Sequence, residues 1–308
     1  MLITGGGGFV GRAVRRLLPD ASAPTSRELD LTNGAAVMEA IGDLKPDVVV
    51  HLAARVGGIT ANMARQADFL IDNLRIDANV LAALRAHLPK HLISMLSTCM
   101  YPDRLPDEAY PMSEDLIEAG APPPTNAAYA AAKRSLWRGT LALHEQYGVP
   151  YTALIPANLY GPGDHFGEDG SHFLAAAVDK VEDARLTGAA AVEFFGTGRA
   201  IRQYVFVHDL AELILLATER GPVDATLNVA PTESLSIKEL AELVADVAGY
   251  TGDVVFPGGG PDGQLLKDAD SSRLRELFPE WEDIETPLRN GIAATIEDHR
   301  RRSDVEAG

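Results

Sequence analysis

Tyr129 and Lys133 stand four residues apart and are the side chains around which the chemistry of this chain can be built. Two residues four apart on a helix project from the same face. An ammonium group beside a phenol favours the phenolate, so this spacing predicts a lowered pKa for Tyr129. Such a phenol can exchange a proton with a carbonyl or alcohol oxygen. The pattern alone also fits a core tyrosine and a solvated lysine, so its meaning depends on the surrounding elements.

Those elements predict a doubly wound α/β fold with a parallel sheet. A helix is expected over residues 127–147, after the prolines at 122–124, which places Tyr129 and Lys133 in its first turns. Apolar, β-branched segments predict buried strands at 47–53, 91–96, 151–157 and 226–229. The strand over 91–96 leads into Ser97 and Cys99. Polar residues at the carboxyl end of a parallel strand lie where open α/β sheets bind ligands.

A glycine-rich turn near the N-terminus predicts a dinucleotide site. Residues 1–4 predict a strand and residues 9–18 a helix, and the glycines between them fit both G-x-G-x-x-G and T-G-x-x-G-x-x-G. Strand, glycine turn and helix form the layout in which backbone amides and a helix N-terminus receive a pyrophosphate. The predicted cofactor contacts in this turn are Gly5, Gly8, Phe9, Val10 and Gly11.

The residues that follow favour NADP over NAD. The next strand is expected to end near Thr25, where an acidic residue would bind the ribose 2′-hydroxyl of NAD. Arg27 stands there instead, and Arg12 directly follows the last glycine of the turn. Guanidinium groups suit a 2′-phosphate better than a 2′-hydroxyl. Glu28 and Asp30 lie close by and keep NAD open as an alternative.

Composition narrows the class of protein further. The chain has 308 residues, of which 46% are hydrophobic, and its 27 basic and 44 acidic residues give a net charge of −17. Such a charge argues against sequence-independent binding of nucleic acid. A single cysteine excludes an intrachain disulfide and suits a reducing compartment. With no apolar stretch of membrane-spanning length and no secretory signal, a cytoplasmic protein is expected. No metal site is predicted.

The C-terminal half predicts a smaller, discontinuous α/β lobe. Residues 158–169 are rich in Gly, Pro, Asn and Asp and are expected to form a loop that leaves the main sheet. The predicted Rossmann-type NADP-binding domain comprises residues 1–158 plus about 203–230. The predicted substrate lobe comprises about 159–202 plus 231–308. A long helix over 61–88 has an apolar surface broad enough for the sheet and a partner subunit, which is compatible with a homodimer.

Taken in order, the glycine turn, the serine after a central strand and Tyr-x-x-x-Lys resemble the extended short-chain dehydrogenase/reductase family. Further segments are similar to its GDP-L-fucose synthase branch and run nearly the whole length of the chain: 56–59, 61–63, 68–69, 73–74, 97–102, 124–126, 158–162, 164–166 and 171–172. This resemblance implies an NADPH-dependent enzyme that epimerises C3 and C5 of GDP-4-keto-6-deoxy-D-mannose and then reduces C4, giving GDP-L-fucose.

The resemblance also implies a role for each matching residue. Cys99 and His172 would be the base and acid of the epimerisation, which fits a thiol and an imidazole that titrates near neutral pH. Tyr129 would protonate the C4 oxygen, Ser97 would hydrogen-bond it, and Lys133 would hold the nicotinamide ribose. The further cofactor contacts that the resemblance implies are Pro156, Asn158, Leu159 and His172.

The substrate diphosphate requires positive charge within an acidic chain. Arg202 falls where the family has its diphosphate-binding arginine, and Lys180 and Lys267 are expected to help. Phe195 stands where the family often has tryptophan beside the base, so guanine stacking can differ here. Leu265 and Leu266 precede Lys267 where the family usually has Pro-Arg-Lys, which removes one cation.

Two other functions remain open at this stage. A nucleotide-sugar 4-ketoreductase acting on a GDP- or dTDP-linked deoxysugar or heptose would need no epimerisation by Cys99 and His172. A non-catalytic dinucleotide sensor of the same fold would need none of Ser97, Tyr129 and Lys133, so their presence argues against it.

Overall fold

A computed structural model describes residues 1–167, 171–260 and 262–307, without the side chains of residues 306 and 307. Part of the loop predicted over 158–169 therefore lies outside the described residues. Within the described ranges, no helix combines the length and apolarity needed to cross a membrane.

The described strands are short, and most of them pair in parallel. In chain order they are β1 (Leu2–Thr4), β2 (Val48–His51), β3 (His91–Met95), β4 (Tyr151–Pro156), β5 (Asn158–Tyr160), β6 (Ala191–Glu193), β7 (Ile201–Arg202), β8 (Tyr204–Phe206), β9 (Ala225–Val229), β10 (Leu235–Ser236) and β11 (Asp253–Val255). The central sheet has the order β1-β2-β3-β4-β9, and every neighbouring pair in it is parallel. The α/β class and the return of the 226–229 segment to this sheet are thus confirmed.

Helices cover both faces of the central sheet. In chain order they are α1 (Phe9–Leu17), α2 (Gly34–Leu44), α3 (Ile59–Ala64), α4 (Gln66–Ala86), α5 (Ala127–Tyr147), α6 (Phe173–Thr187), α7 (Val207–Arg220), α8 (Ile237–Ala248), α9 (Ser272–Leu277), α10 (Trp281–Ile284) and α11 (Leu288–Ala307). Helices α1 and α7 pack on one face, and α2, α4 and α5 pack on the other. Successive strand residues point to opposite faces, so Leu2 and Ile3 enter different cores.

A third hydrophobic core lies apart from the central sheet. It joins α6, α8 and α11 to the short strands β6 and β8. Strand β6 pairs in parallel with β11, and β7 pairs with β10 in the antiparallel sense. These pieces come from both sides of β9 in the chain, and on this basis we propose the discontinuous substrate lobe with the bounds given above. Strand β8 contributes to the same core although those bounds assign it to the NADP-binding domain.

Three predicted elements differ in the structure. The strand expected to end near Thr25 is reduced to a bridge between Leu2 and Ser22, because Pro24 has no N–H to extend the pairing. The helix expected over 61–88 is divided into α3 and α4 at Arg65, whose ψ of 45° is not helical. The start of the expected loop after residue 157 is strand β5, which pairs with β8 more than 40 residues away.

Candidate active site

The glycine turn between β1 and α1 forms a cradle for a pyrophosphate. Gly5 has φ +73°, and a side chain there would come within 2.8 Å of the Ala53 backbone. A Cβ at Gly11 would overlap the carbonyl oxygen of Gly5, so α1 can approach the turn only because Gly11 has no side chain. Gly8 caps α1 without any side-chain hydrogen bond, which leaves the first amides of the helix available to an anion. The turn therefore fits the dinucleotide predicted for it.

A cavity of about 910 Å³ extends from the glycine turn, and its lining includes Thr25, Ser26 and Arg27. Hydroxyl and guanidinium groups here suit a 2′-phosphate. The two nearby carboxylates already have partners: Glu28 accepts from the Thr25 amide at 2.7 Å, and Asp30 accepts from the Thr32 amide at 2.9 Å. This arrangement fits NADP better than NAD.

Arg12 is placed differently from the prediction. Its guanidinium donates to the carbonyl oxygens of Gly7, at 2.7 Å, and of Gly163. It does not line either cavity in the part of the chain that the structure describes. One residue along the helix from Gly11 is a rotation of about 100°, so the Arg12 side chain leaves α1 in a different direction from the face that Gly11 packs against the turn. Arg12 thus ties the glycine turn to the loop after β5.

Ser97 and Cys99 follow β3 at the carboxyl end of the central sheet. Ser97 caps a 3₁₀ turn over Thr98–Met100, and its hydroxyl accepts from the Cys99 amide at 3.2 Å. This turn bends the chain across the sheet edge, so both side chains face the same cavity. Cys99 is a free cysteine and is partly accessible.

Tyr129 and Lys133 lie on the first two turns of α5, which begins and ends where predicted. The Lys133 ammonium is buried, donates to the Met95 carbonyl oxygen at 2.8 Å and lies 6.0 Å from the centroid of the Tyr129 ring. The lowered pKa expected for Tyr129 is wrong for this structure. Burial raises the pKa of Tyr129 well above its ordinary value, and negative charge at Cys99 and Asp77 acts in the same direction. The phenol is therefore a proton donor at neutral pH.

His172 stands at the N-terminal end of α6 and lines the same cavity. Its surface is exposed to the cavity, and the protein atoms around it reduce the hydration of the imidazole. This burial lowers the pKa of His172, and the positive charge of Lys267 lowers it further. The imidazole is consequently neutral near pH 7, and its protonated form is a stronger acid than ordinary histidine.

One cavity of about 330 Å³ brings most of the predicted residues together. Those that line it are Gly5, Gly8, Phe9, Val10, Gly11, Ser97, Cys99, Tyr129, Lys133, Pro156, Asn158, Leu159, His172, Arg202 and Lys267. Lys180 and Phe195 are not among its described lining residues. The Lys180 ammonium lies 6.0 Å from the centroid of the Phe194 ring, and the Phe195 side chain is 56% exposed.

Among the further polar residues that line the cavity, Gln264 and Asn126 each have a buried oxygen without a partner among the described residues. Gln264 donates from Nε2 to the Pro102 carbonyl oxygen at 3.0 Å, whereas its buried Oε1 has no hydrogen-bond partner among the described residues. The same is true of the buried Oδ1 of Asn126. Both residues line the cavity. Asn126 belongs to the segment 124–126 that resembles the family, whereas Gln264 lies in none of the resembling segments and only the fold could place it at the cavity.

A parallel sheet, a glycine cradle and the Ser97, Tyr129 and Lys133 side chains at its carboxyl edge define an extended short-chain dehydrogenase/reductase. The model of the NAD dependent epimerase/dehydratase family matches residues 1–230. The probable GDP-L-fucose synthase of Drosophila melanogaster is 33% identical, over 97% of this chain and 98% of that protein.

Solved structures agree with this assignment. A GDP-L-fucose synthetase from Naegleria fowleri bound to NADP is 30% identical with a TM-score of 0.86, covering 98% of this chain and 93% of that one. A GDP-6-OMe-4-keto-L-xylo-heptose reductase from C. jejuni is 25% identical with a TM-score of 0.87, covering 98% and 97%. The chain belongs to the NAD dependent epimerase/dehydratase family and, within it, to the GDP-L-fucose synthase family.

Proposed function

We propose that this chain is an NADPH-dependent epimerase/reductase that converts GDP-4-keto-6-deoxy-D-mannose to GDP-L-fucose. The observation that carries the proposal is the meeting of two sets of groups in one cavity. Ser97, Tyr129 and Lys133 are the groups that a carbonyl reduction needs. Cys99 and His172 lie beside them and can serve as a base and an acid. The names of the relatives, which are GDP-sugar enzymes, support the same substrate class.

In the epimerisation, we assign the base to Cys99 and the acid to His172. The Cys99 thiolate takes the proton from C3 or C5, and the electrons of that C–H bond move onto the C4 oxygen as an enolate. Hydroxyl groups of Ser97 and Tyr129 donate hydrogen bonds to this oxygen and stabilise its charge. His172 then delivers a proton to the opposite face of the carbon. This step needs the protonated form of His172. The lowered pKa reduces the fraction of imidazolium near pH 7, and the imidazolium that forms gives up its proton readily.

In the reduction, the protonated Tyr129 supplies the proton. NADPH, when bound, supplies the hydride that reduces C4. Tyr129 gives its proton to the C4 oxygen as the alkoxide forms, and Lys133 holds the phenol and the cofactor ribose in place. The raised pKa of Tyr129 suits this role, because it keeps the proton on the phenol until the alkoxide, a stronger base, appears.

Arg202 and Lys267 supply the positive charge beside the reacting sugar. Burial lowers the pKa of both residues, which means that their charge is poorly hydrated and suited to an anionic ligand. We assign the diphosphate first to Arg202. The roles predicted for Lys180, Phe195 and Arg12 stay predictions, and a GDP base is favoured over dTDP by the relatives alone.

Turnover in deuterated water tests the proposal. The protein is incubated with NADPH and GDP-4-keto-6-deoxy-D-mannose, nicotinamide absorbance is followed, and the product is examined by NMR. Deuterium at both C3 and C5 of a reduced product is expected. Cys99→Ser should slow exchange by about 10²-fold or more, and Tyr129→Phe should abolish reduction. A Cys99→Ser variant with full exchange activity would refute the assigned base.

A 4-ketoreductase without epimerisation is the second candidate, favoured by the likeness to the C. jejuni heptose reductase. Reduction without deuterium at C3 or C5 would support it. A chain that binds NADPH but turns over no keto-sugar would instead support a dinucleotide sensor.

We also propose a homodimer in the cytoplasm. Met63, Ile71 and Leu74 leave 49%, 50% and 36% of their surface exposed on α3 and α4, a pattern that fits a partner subunit. Light scattering after gel filtration tests the dimer, and Ile71→Lys should then give a monomer. The single cysteine suits a reducing compartment, and cell fractionation tests the location.

A further inference from the structure

Residues 264–267, the segment that carries Lys267, are hydrogen-bonded both to β7 and to the turn after β3. Its backbone pairs with β7, since Ile201 donates to the Leu265 carbonyl oxygen at 2.7 Å and Lys267 donates to that of Ile201 at 3.2 Å. Gln264 ties the same segment to Pro102, three residues after Cys99. The segment therefore joins the substrate lobe to the turn that follows β3.

This arrangement places the buried ammonium of Lys267 next to the thiol of Cys99. The Lys267 ammonium donates to Cys99 Sγ at 3.8 Å, although the two residues are 168 positions apart. Only 9% of the Lys267 side chain and backbone surface is exposed, so solvent screens the contact poorly. An ammonium at this distance stabilises negative charge on sulfur.

We propose that Lys267 is the counter-ion of the Cys99 thiolate and thereby makes Cys99 the base of the epimerisation. This assignment deepens the proposed function and rests on it for the identity of the reaction. Cys99 forms an S–H bond with the proton taken from C3 or C5, while the electrons of the broken C–H bond pass to the C4 oxygen. Lys267 keeps its own protons throughout. Its role is that of a positioning charge, in contrast to the diphosphate contact predicted from the sequence.

Other charged and titratable groups around the cavity interact with Cys99 and Lys267. Arg202 also favours negative charge at Cys99, whereas Asp103 attracts the Lys267 ammonium. Burial keeps the Tyr129 phenol protonated, and negative charge at Cys99 acts in the same direction. Burial is also the main cause of the lowered pKa of His172, and the positive charge of Lys267 adds to it. The Lys267 ammonium thus favours negative charge on the sulfur and makes the imidazolium of His172 a stronger acid.

Alkylation of the thiol tests the proposal without substrate or cofactor. The full chain has one cysteine, so the rate of modification by iodoacetamide reports on Cys99 alone. Rates are measured from pH 5.5 to 9.5 for the unsubstituted chain and for Lys267→Met, Lys267→Arg and Lys238→Met. Lys267→Met should move the midpoint of the pH profile upward by about one pH unit or more, because removal of a nearby opposite charge has effects of this size. Lys267→Arg should restore the original profile, and Lys238→Met, which removes an exposed cation from α8, should not alter it.

The outcomes separate this role from others. An unchanged alkylation profile in Lys267→Met, together with a raised KM for the GDP sugar, would make Lys267 a diphosphate ligand only and overturn the proposal. If Lys267→Met does not fold by circular dichroism, Lys267→Gln serves as the neutral variant under the same criterion. With substrate, neutral variants should lose deuterium exchange at C3 and C5 about tenfold or more beyond any loss of hydride transfer. A shifted profile in a chain that turns over no keto-sugar would support the ion pair and refute the proposed function.

Discussion

Asp164→Asn should stabilise the protein increasingly as the pH rises. Asp164 is 6% exposed, and its Oδ1 accepts from the His165 amide at 2.7 Å. Its Oδ2 is buried and has no hydrogen-bond partner among the described residues. Burial therefore raises the pKa of Asp164 from 3.8 to about 6, despite opposing contributions from His165, Arg302 and Arg12.

Proton linkage determines whether ionisation of Asp164 stabilises or destabilises the folded chain. The pKa of Asp164 is about 6 in the folded chain and 3.8 in the unfolded chain. Between these two pH values the folded chain binds more protons than the unfolded chain, so ionisation of Asp164 destabilises the fold. The resulting penalty is absent below pH 3.8 and complete above about pH 6. It amounts to about 1.5 kcal/mol at pH 5 and about 3 kcal/mol at pH 8, at about 1.4 kcal/mol per pKa unit.

Asparagine keeps the size of the side chain and the oxygen that His165 uses, and it cannot ionise. Its buried amide costs a constant amount, so the informative quantity is the change with pH. Relative to the unsubstituted chain, Asp164→Asn should gain about 1.5 kcal/mol between pH 5 and pH 8, or roughly 2–3 °C in Tm by thermal unfolding. Asp183→Asn, at an exposed position, is the matched control and should show no such gain. Equal Tm differences at both pH values would refute the reasoning.

Three further predictions concern the cofactor and the substrate lobe. Gly11→Ala should weaken NADPH binding in a fluorescence titration by about tenfold or more, because its methyl group would overlap the Gly5 carbonyl oxygen; undiminished affinity would contradict the cradle. Arg27→Leu should raise the KM for NADPH by about 10- to 100-fold and leave that for NADH nearly unchanged, whereas equal effects on both would exclude a 2′-phosphate contact. Ser236→Ala removes a capping box in which Ser236 Oγ accepts from the Glu239 amide at 3.2 Å, so thermal unfolding should show a loss of about 1 kcal/mol with kcat/KM unchanged.

The sequence predicted best what depends on local pattern. The helix over 127–147 was predicted with the bounds of α5, because a proline stop before it and a glycine after it are both encoded locally. The central strands were predicted within a few residues, since a parallel sheet buries both faces and leaves a continuous apolar run. The glycine turn was identified because strand, turn and helix are adjacent in the chain.

Features that depend on distant contacts were not predictable in this way. Strand β5 exists because β8 lies beside it, and nothing in the composition of residues 158–160 indicates that partner. Arg12 was assigned from its neighbour Gly11, but its guanidinium contacts Gly163. The pKa of Tyr129 was inferred from Lys133 alone, whereas burial by the whole cavity determines its direction. The contact between Lys267 and Cys99 likewise joins residues that only the fold brings together.

The active-site cavity gathers positive charge within an acidic chain. The protein carries a net charge of −17, yet Lys133, Arg202 and Lys267 meet at one cavity and burial lowers the pKa of each. Poorly hydrated cations gain most from an anion that replaces the missing water, so a diphosphate should bind here in spite of the acidic surface. Under the proposal made above, the Cys99 thiolate is such an anion for Lys267, and the diphosphate is assigned to Arg202. In that mechanism the thiolate loses its charge when it accepts a proton from the sugar, and at the same moment the enolate oxygen gains one. The site would then keep its total charge through the epimerisation, and the proposed hydrogen bonds of Ser97 and Tyr129 would act on the oxygen that becomes negative.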